Sequence, residues 1–499
     1  MILSAVVILM SFTDVEMYCD HAVTLDSQGR LQPWTSFDHV IRGSMNFLEH
    51  CPTAPTKFGD DPWYLISSIF TEEGEFKSNQ NNQGCDLFFA AETIAKYYAY
   101  SGDKDSFQII RNLADRILMS FTPDDWVWSH VPRTQDDVPD GDYSDEKTEC
   151  DKVCMVGLGY IRFYKMTGEQ KYLDAALEIA RVIASKIAPG DEDYSPIPFR
   201  VNAKTGVIID PYTANMAAVV DLFQTLIALG YPESGAFAEK RDIVIKWLIQ
   251  YPLANYIWSG YYEDVGNNRK LNFNQQLPLE TARYMMRHPE LFPDWKTQVP
   301  ALIQWTRDRF GKTKRHGASS ICEQDRCFAE MSSHTARYAS VVAQWWGISG
   351  DSQACEEARA SFALTTYSTF AKSTKDERAV NYVGVGYSCP WFSDSYFDFL
   401  THIFDGMAQM PDMAPADENH MLASTSTIKN ISYEDKRIQY DAFDPSGDEI
   451  LRLTFKPVVL VDGNPLDSAK WSYGEYHGVS NIMRIQRDHA THVEIKAAD

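Results

Sequence analysis

The feature that most limits what this chain can fold into is a helical hairpin that returns about every sixty residues. "YYAYSGDKDSFQIIRNLADRIL" (97–118), "FYKMTGEQKYLDAALEIARVI" (163–183) and "WWGISGDSQACEEARASFALTTYSTF" (345–370) share one plan. An apolar helix ends, a Ser/Thr-Gly-Asp/Glu turn reverses the chain, and an amphipathic helix follows. Glycine ends the first helix at low steric cost. The acid after it suits the positive N-terminus of the second. Looser copies at 226–249 and 284–310 put further turn centres near Pro232 and Pro289, in step with Gly102, Gly168 and Gly350.

Within each unit the two helices differ. The first is apolar on most faces and the second on one stripe, so the first reads as an inner helix and the second as an outer one. Inner helices are expected at 86–100, 152–166, 213–229, 276–287, 331–347 and 394–410. Outer ones are expected at 36–50, 104–120, 170–187, 236–250, 295–310 and 352–371. Six pairs close a ring, so the predicted fold is mainly α, an (α/α)6 toroid, over 21–410. No sustained strand alternates with these helices, which disfavours a parallel α/β sheet. After a linker, "MPDMAPADENHM" within 410–422, the pattern becomes short alternating runs such as "RIQYDAF" and "EILRLTF". Residues 423–499 therefore read as a small antiparallel β domain.

Connections from inner to outer helix are short, and those from outer to inner are long: 51–83, 121–148, 188–212, 251–275, 311–330 and 372–392. Long loops in a compact fold carry function, and all six gather where the inner helices begin. That end is the expected funnel. Asp86, Asp151 and Asp394 each open an inner helix there, and Glu149 precedes Asp151. An Asp at a helix start also serves as a cap. Two successive inner helices opening with Asp under aromatic loops point to carboxylate acid/base chemistry. Asp151 is the expected general acid/base and Asp86 its partner, with Glu149 and Asp394 in reserve.

The loops also supply groups that hold sugars. Trp63, Trp126, Trp128, Tyr143, Trp258, Tyr262 and Trp391 offer flat apolar faces, Gln275 offers hydrogen bonds, and His130 and Arg133 offer charge for a substrate carboxylate.

The stretches "CDLFF", beginning at Cys85, and "DKVCM", beginning at Asp151, followed by "TGEQKY", resemble motifs of the six-hairpin glycosidases, nearest to the unsaturated glucuronyl hydrolases. The resemblance places Asp86 and Asp151 where that family carries its catalytic carboxylates. Cys85, Phe88 and Val156 depart from its His, Gly and Asn. The toroid followed by β strands also resembles several polysaccharide lyases. The resemblance implies a glycoside hydrolase acting on a poly- or oligosaccharide. A lyase and a non-catalytic glycan-binding protein are the alternatives.

A net charge of −23 argues against nucleic acid and anionic membranes as partners. "MILSAVVILMSF" contains an apolar run like that of an export signal, too short to span a bilayer, so a secreted or periplasmic protein with no membrane insertion is expected. No cofactor and no metal are expected. Cys150 and Cys154 lie one helical turn apart, and neither this pair nor Cys322 and Cys327 has zinc-knuckle spacing. The acidic "DDVPD" (136–140) has a Pro inside it and reads as a solvated loop.

Overall fold

A computed structural model describes residues 15–498 except 19–20, 57–58, 66–67, 71–74, 80–82, 135–145, 262–268, 312, 326–329 and 370–390. Twelve α-helices stand among the described residues. The inner ones are α2 (Gln83–Ser101), α4 (Cys150–Thr167), α6 (Ala217–Ala228), α8 (Gln276–Arg287), α10 (Ser332–Ser349) and α12 (Ser393–Met407). The outer ones are α1 (Phe37–Glu49), α3 (Phe107–Leu118), α5 (Gln170–Lys186), α7 (Ser234–Leu248), α9 (Trp295–Phe310) and α11 (Ser352–Thr365). α2 packs on α4 and α12, and α10 packs on α8 and α12, so the inner helices neighbour one another around an axis. The fold is the expected (α/α)6 toroid.

The hairpin turns take the expected form. Gly168 and Gly350 close α4 and α10 in the left-handed conformation, at φ 77° and 73°, where a side chain would be strained. The inner staves approach closely because small residues face the joint. A Cβ on Gly159 of α4 would stand 2.9 Å from Leu87 of α2, and one on Gly84 of α2 would stand 2.9 Å from Lys152 of α4.

Short antiparallel pairings lie within the long loops, which the sequence pattern did not reveal. Lys147–Glu149 pairs with Arg200–Asn202, which pairs in turn with Ile208–Asp210. Runs of three residues are too short to show an alternation, and their pairing partners lie some fifty positions away.

The strands of the C-terminal region run from His420 to Ala497, so the first begins inside the expected linker. They form two antiparallel sheets, one of four strands and one of five. Their inner faces join the same hydrophobic core as the toroid, through Met421, Leu422, Ile428 and Ile431 among others. Tyr98 of α2 accepts the Ile431 backbone N–H at 3.2 Å.

Candidate active site

Asp151 lies in the first turn of α4 and is fully buried. It accepts the backbone N–H of Lys152 at 2.9 Å and the side-chain amide of Asn215 at 3.0 Å. Burial pushes its carboxyl up to about 7, opposed by the Lys152 cation and assisted by the Glu149 charge. It is therefore half-protonated near neutral pH, the condition a general acid/base needs. Asn215, which holds it, lines a cavity of about 220 Å³ along the toroid axis. Asp86, on the neighbouring stave, is equally buried. Neither carboxylate is itself on the cavity wall.

Glu149 has a different task. The strand register sets it opposite Arg200. It accepts Arg200 Nε at 3.0 Å and Lys152 Nζ at 2.5 Å. Two cations on one fully buried carboxylate make it an anchor of the α4 entry. The Cys150 and Cys154 thiols beside it are buried and raised far above their ordinary range by desolvation.

The other expected residues scatter. Trp128 and Trp258 are buried in the hydrophobic core. Trp63 stacks on Phe76 at 3.5 Å, and Trp126 lies under the Arg133 guanidinium at 4.9 Å. His130 is exposed beside Asp124 at 3.1 Å. Gln275 is fully buried next to the start of α8. Asp394 lies at the start of α12 and Trp391 in the short strand just before it, their side chains outside the described ones. Tyr143 and Tyr262 lie outside the described residues.

The sequence reading missed a ladder of charge along the axis. Arg337 of α10 contacts Asp398 of α12 and, at 3.3 Å, Glu280 of α8. Asp398 holds His402 at 3.0 Å, and the other imidazole nitrogen faces Arg283 at 3.1 Å. Arg283 reaches Asp405 at 3.1 Å, and Asp405 accepts Lys96 at 2.8 Å. Arg162 closes the far end, pairing Glu92 and donating to Thr427 of the sheet region at 2.8 Å. Glu280, Arg283, His402, Asp405, Lys96 and Arg162 all line the cavity. A signal for them exists in the sequence. "TARY" occurs at 281–284 and again at 335–338, preceded by Glu280 in the first copy and His334 in the second. Arg283 and Arg337 are its arginines.

No family model matches the chain, and no curated protein matches it. Solved structures do. A D-mannose isomerase matches with TM-score 0.58 at 10% identity, over 74% of this chain and 97% of that one. The cellobiose 2-epimerase from Spirochaeta thermophila DSM 6192 matches with TM-score 0.53 at 10% identity, over 70% and 90%. The family 76 glycoside hydrolase BT2949 of Bacteroides thetaiotaomicron, an alpha-mannanase, matches with TM-score 0.51 at 8% identity, over 76% and 98%. The chain shares the toroid fold with these proteins. No helix among the described residues is long and apolar enough to cross a membrane.

Proposed function

We propose that this protein is a carbohydrate-active enzyme, a glycoside hydrolase in which Asp151 is the general acid/base and Asp86 its partner. The observation that carries the reading is Asp151 itself: a fully buried carboxyl, raised to about 7, one hydrogen bond from the wall of an axial cavity. A protonated carboxyl at neutral pH can give its proton to a glycosidic oxygen as the bond breaks. A second carboxylate then activates water or stabilises the positive sugar. Export to the cell exterior or periplasm fits such a role.

The test is a screen of poly- and oligosaccharides, unsaturated uronides included, with the parent protein and the Asp151→Asn and Asp86→Asn variants. Turnover of one glycan is expected, with an alkaline limb near pH 7 that vanishes in Asp151→Asn. Parental turnover in both variants would reduce these residues to helix caps.

A second reading, isomerisation or epimerisation of a free sugar, is favoured by one observation. His402, Glu280 and Arg283 line the cavity directly, and the two aspartates do not. Solvent-deuterium incorporation into an unhydrolysed sugar separates the two reactions.

A further inference from the structure

Between α8 and α10 the inner wall carries hydrogen-bond donors that have nothing to donate to. Asn274 Oδ1 accepts the Leu277 backbone N–H at 3.2 Å, which leaves its amide nitrogen as the free end. Gln275 Oε1 accepts Arg337 Nη1 at 3.3 Å, which does the same for Gln275. His334 Nδ1 faces that same nitrogen at 3.2 Å. A guanidinium has no acceptor, so Nδ1 accepts and the imidazole hydrogen sits on Nε2. Asn274 Nδ2, Gln275 Nε2 and His334 Nε2 have no partner among the described residues. Yet Asn274 and Gln275 are 0% exposed and His334 7%. Buried polar groups are ordinarily paired, so a group of unpaired ones calls for an account.

The patch borders the axial cavity. Glu280, ion-paired with Arg337, Phe89, whose ring lies 5.9 Å from its guanidinium, and Gln276 all line that cavity. His334 also holds on α10 the place before "TARY" that the cavity-lining Glu280 holds on α8. Burial and the Arg337 charge bring the imidazole down to about 3, so it stays neutral with its single hydrogen in place. Three neutral amide or imidazole donors without an acceptor among them select an oxygen that only accepts. A hydroxyl would still have to place its own hydrogen.

We propose that Gln275 and His334, both held by Arg337, and Asn274 beside them bind an acceptor-only oxygen of the sugar, a carboxylate or carbonyl oxygen, and so decide which sugars enter the axial site. Arg337 is the positioning residue and Gln275 and His334 set specificity. This deepens the carbohydrate reading and rests on it.

Calorimetric titration tests it, on the full-length Asp151→Asn protein so that no turnover intervenes. The probes are D-glucuronate, which brings a carboxylate, D-fructose, which brings a carbonyl in its open form, and D-glucitol, which brings hydroxyls alone. One of the first two is expected to bind at least about tenfold more tightly than D-glucitol, and which one does identifies the oxygen. Adding His334→Phe or Gln275→Leu is expected to abolish that preference. His334→Gln, which retains an N–H, is expected to restore part of it. Melting temperatures of all variants accompany the titrations, and the two independent deletions guard against one failing to fold. Equal affinity for the three probes, binding of none, or a preference that survives His334→Phe would overturn the proposal. Its failure is separable from that of the hydrolase reading. The preference is a binding measurement, whereas Asp151 is judged on turnover by the parent and Asp151→Asn proteins alone.

Discussion

Two arginines, both almost wholly buried, show how differently this molecule uses charge. In the sheet region Arg487 donates its Nε to Glu449 at 2.9 Å and its Nη1 to the carbonyls of Asp444 and Ala490 at 2.8 and 2.7 Å. Its Nη2 lies 2.8 Å from the same carboxylate, which also accepts Tyr440 at 3.2 Å. On the axial wall Arg337 is also ringed by Asp398, Glu280, Gln275 and His334, but two of these end in donors with no acceptor. A buried ion pair tied to neighbouring carbonyls and a phenol holds a shape. A buried cluster that leaves donors unpaired carries an unmet desolvation cost that a ligand can relieve. We propose that the sheet region stabilises the toroid and that the chemistry belongs to the axis.

The largest effect that sharpens this contrast is on rate. Asp151→Asn keeps the shape of the side chain and removes its proton, so turnover is expected to fall by about 10²–10⁴. A steady-state assay on the glycan found by screening reads it. Activity within a few-fold of the parent would move the chemistry to the His402 end of the ladder.

Next comes Arg487→Met, which leaves Glu449 buried without its cation. Unfolding in denaturant should show a loss of about 3–5 kcal/mol, with turnover per folded molecule unchanged. A selective loss of turnover without loss of stability would break the division drawn here.

The third effect is on the pH dependence of stability. Asp151 is raised from 3.8 to about 7 in the folded state. Below its unfolded value it is protonated in both states and folding pays nothing for it. As pH rises toward 7 the unfolded chain releases the proton and the folded one retains it, so stability falls. The full penalty above pH 7 is about 4 kcal/mol, taking the whole displacement at 1.36 kcal/mol per pH unit. Asp151→Asn removes it. Unfolding curves at pH 5 and pH 8 should show the variant gaining on the parent at the higher pH. Parallel pH dependences would mean that the carboxylate is charged in the folded protein.

The smallest is Gly159→Ala. Its new methyl would meet Leu87 at 2.9 Å on the side chain and 3.1 Å on the carbonyl oxygen. A cost of about 1–3 kcal/mol is expected from forcing α2 and α4 apart. If the two aspartates work as a pair, turnover should drop beyond what the lost stability explains.

How legible was all this beforehand? The hairpins were, because a helix that faces a core and a helix that faces water carry different periodicities, and Gly168 and Gly350 mark where one becomes the other. α8 and α9 fall on their expected bounds, and most other helices both begin and end within three residues of theirs. α11 is the main exception, since the chain passes into a 3-10 turn at Thr366. Asp86 and Asp151 stood out as acids on nearly apolar staves. The axial ladder did not. Arg283, Arg337, Asp398 and His402 lie inside inner helices, where polar residues look like ordinary helix surface, and each has its partner on another helix.

The sequence alone determined the alternation of inner and outer helices, the left-handed glycine turns, the side on which the long loops collect, and the change to strands after about residue 420. These are local: they depend on side-chain periodicity and on backbone preference over a few residues. Tertiary structure decided which charges meet. It turned Glu149 into an anchor by setting Arg200 opposite it, buried Asp151 deeply enough to raise its carboxyl to about 7, and gave Gln275 and His334 a common arginine. Burial and pairing are properties of the space between chain segments, and a carboxylate or imidazole takes its proton affinity from that space, not from its neighbours in sequence.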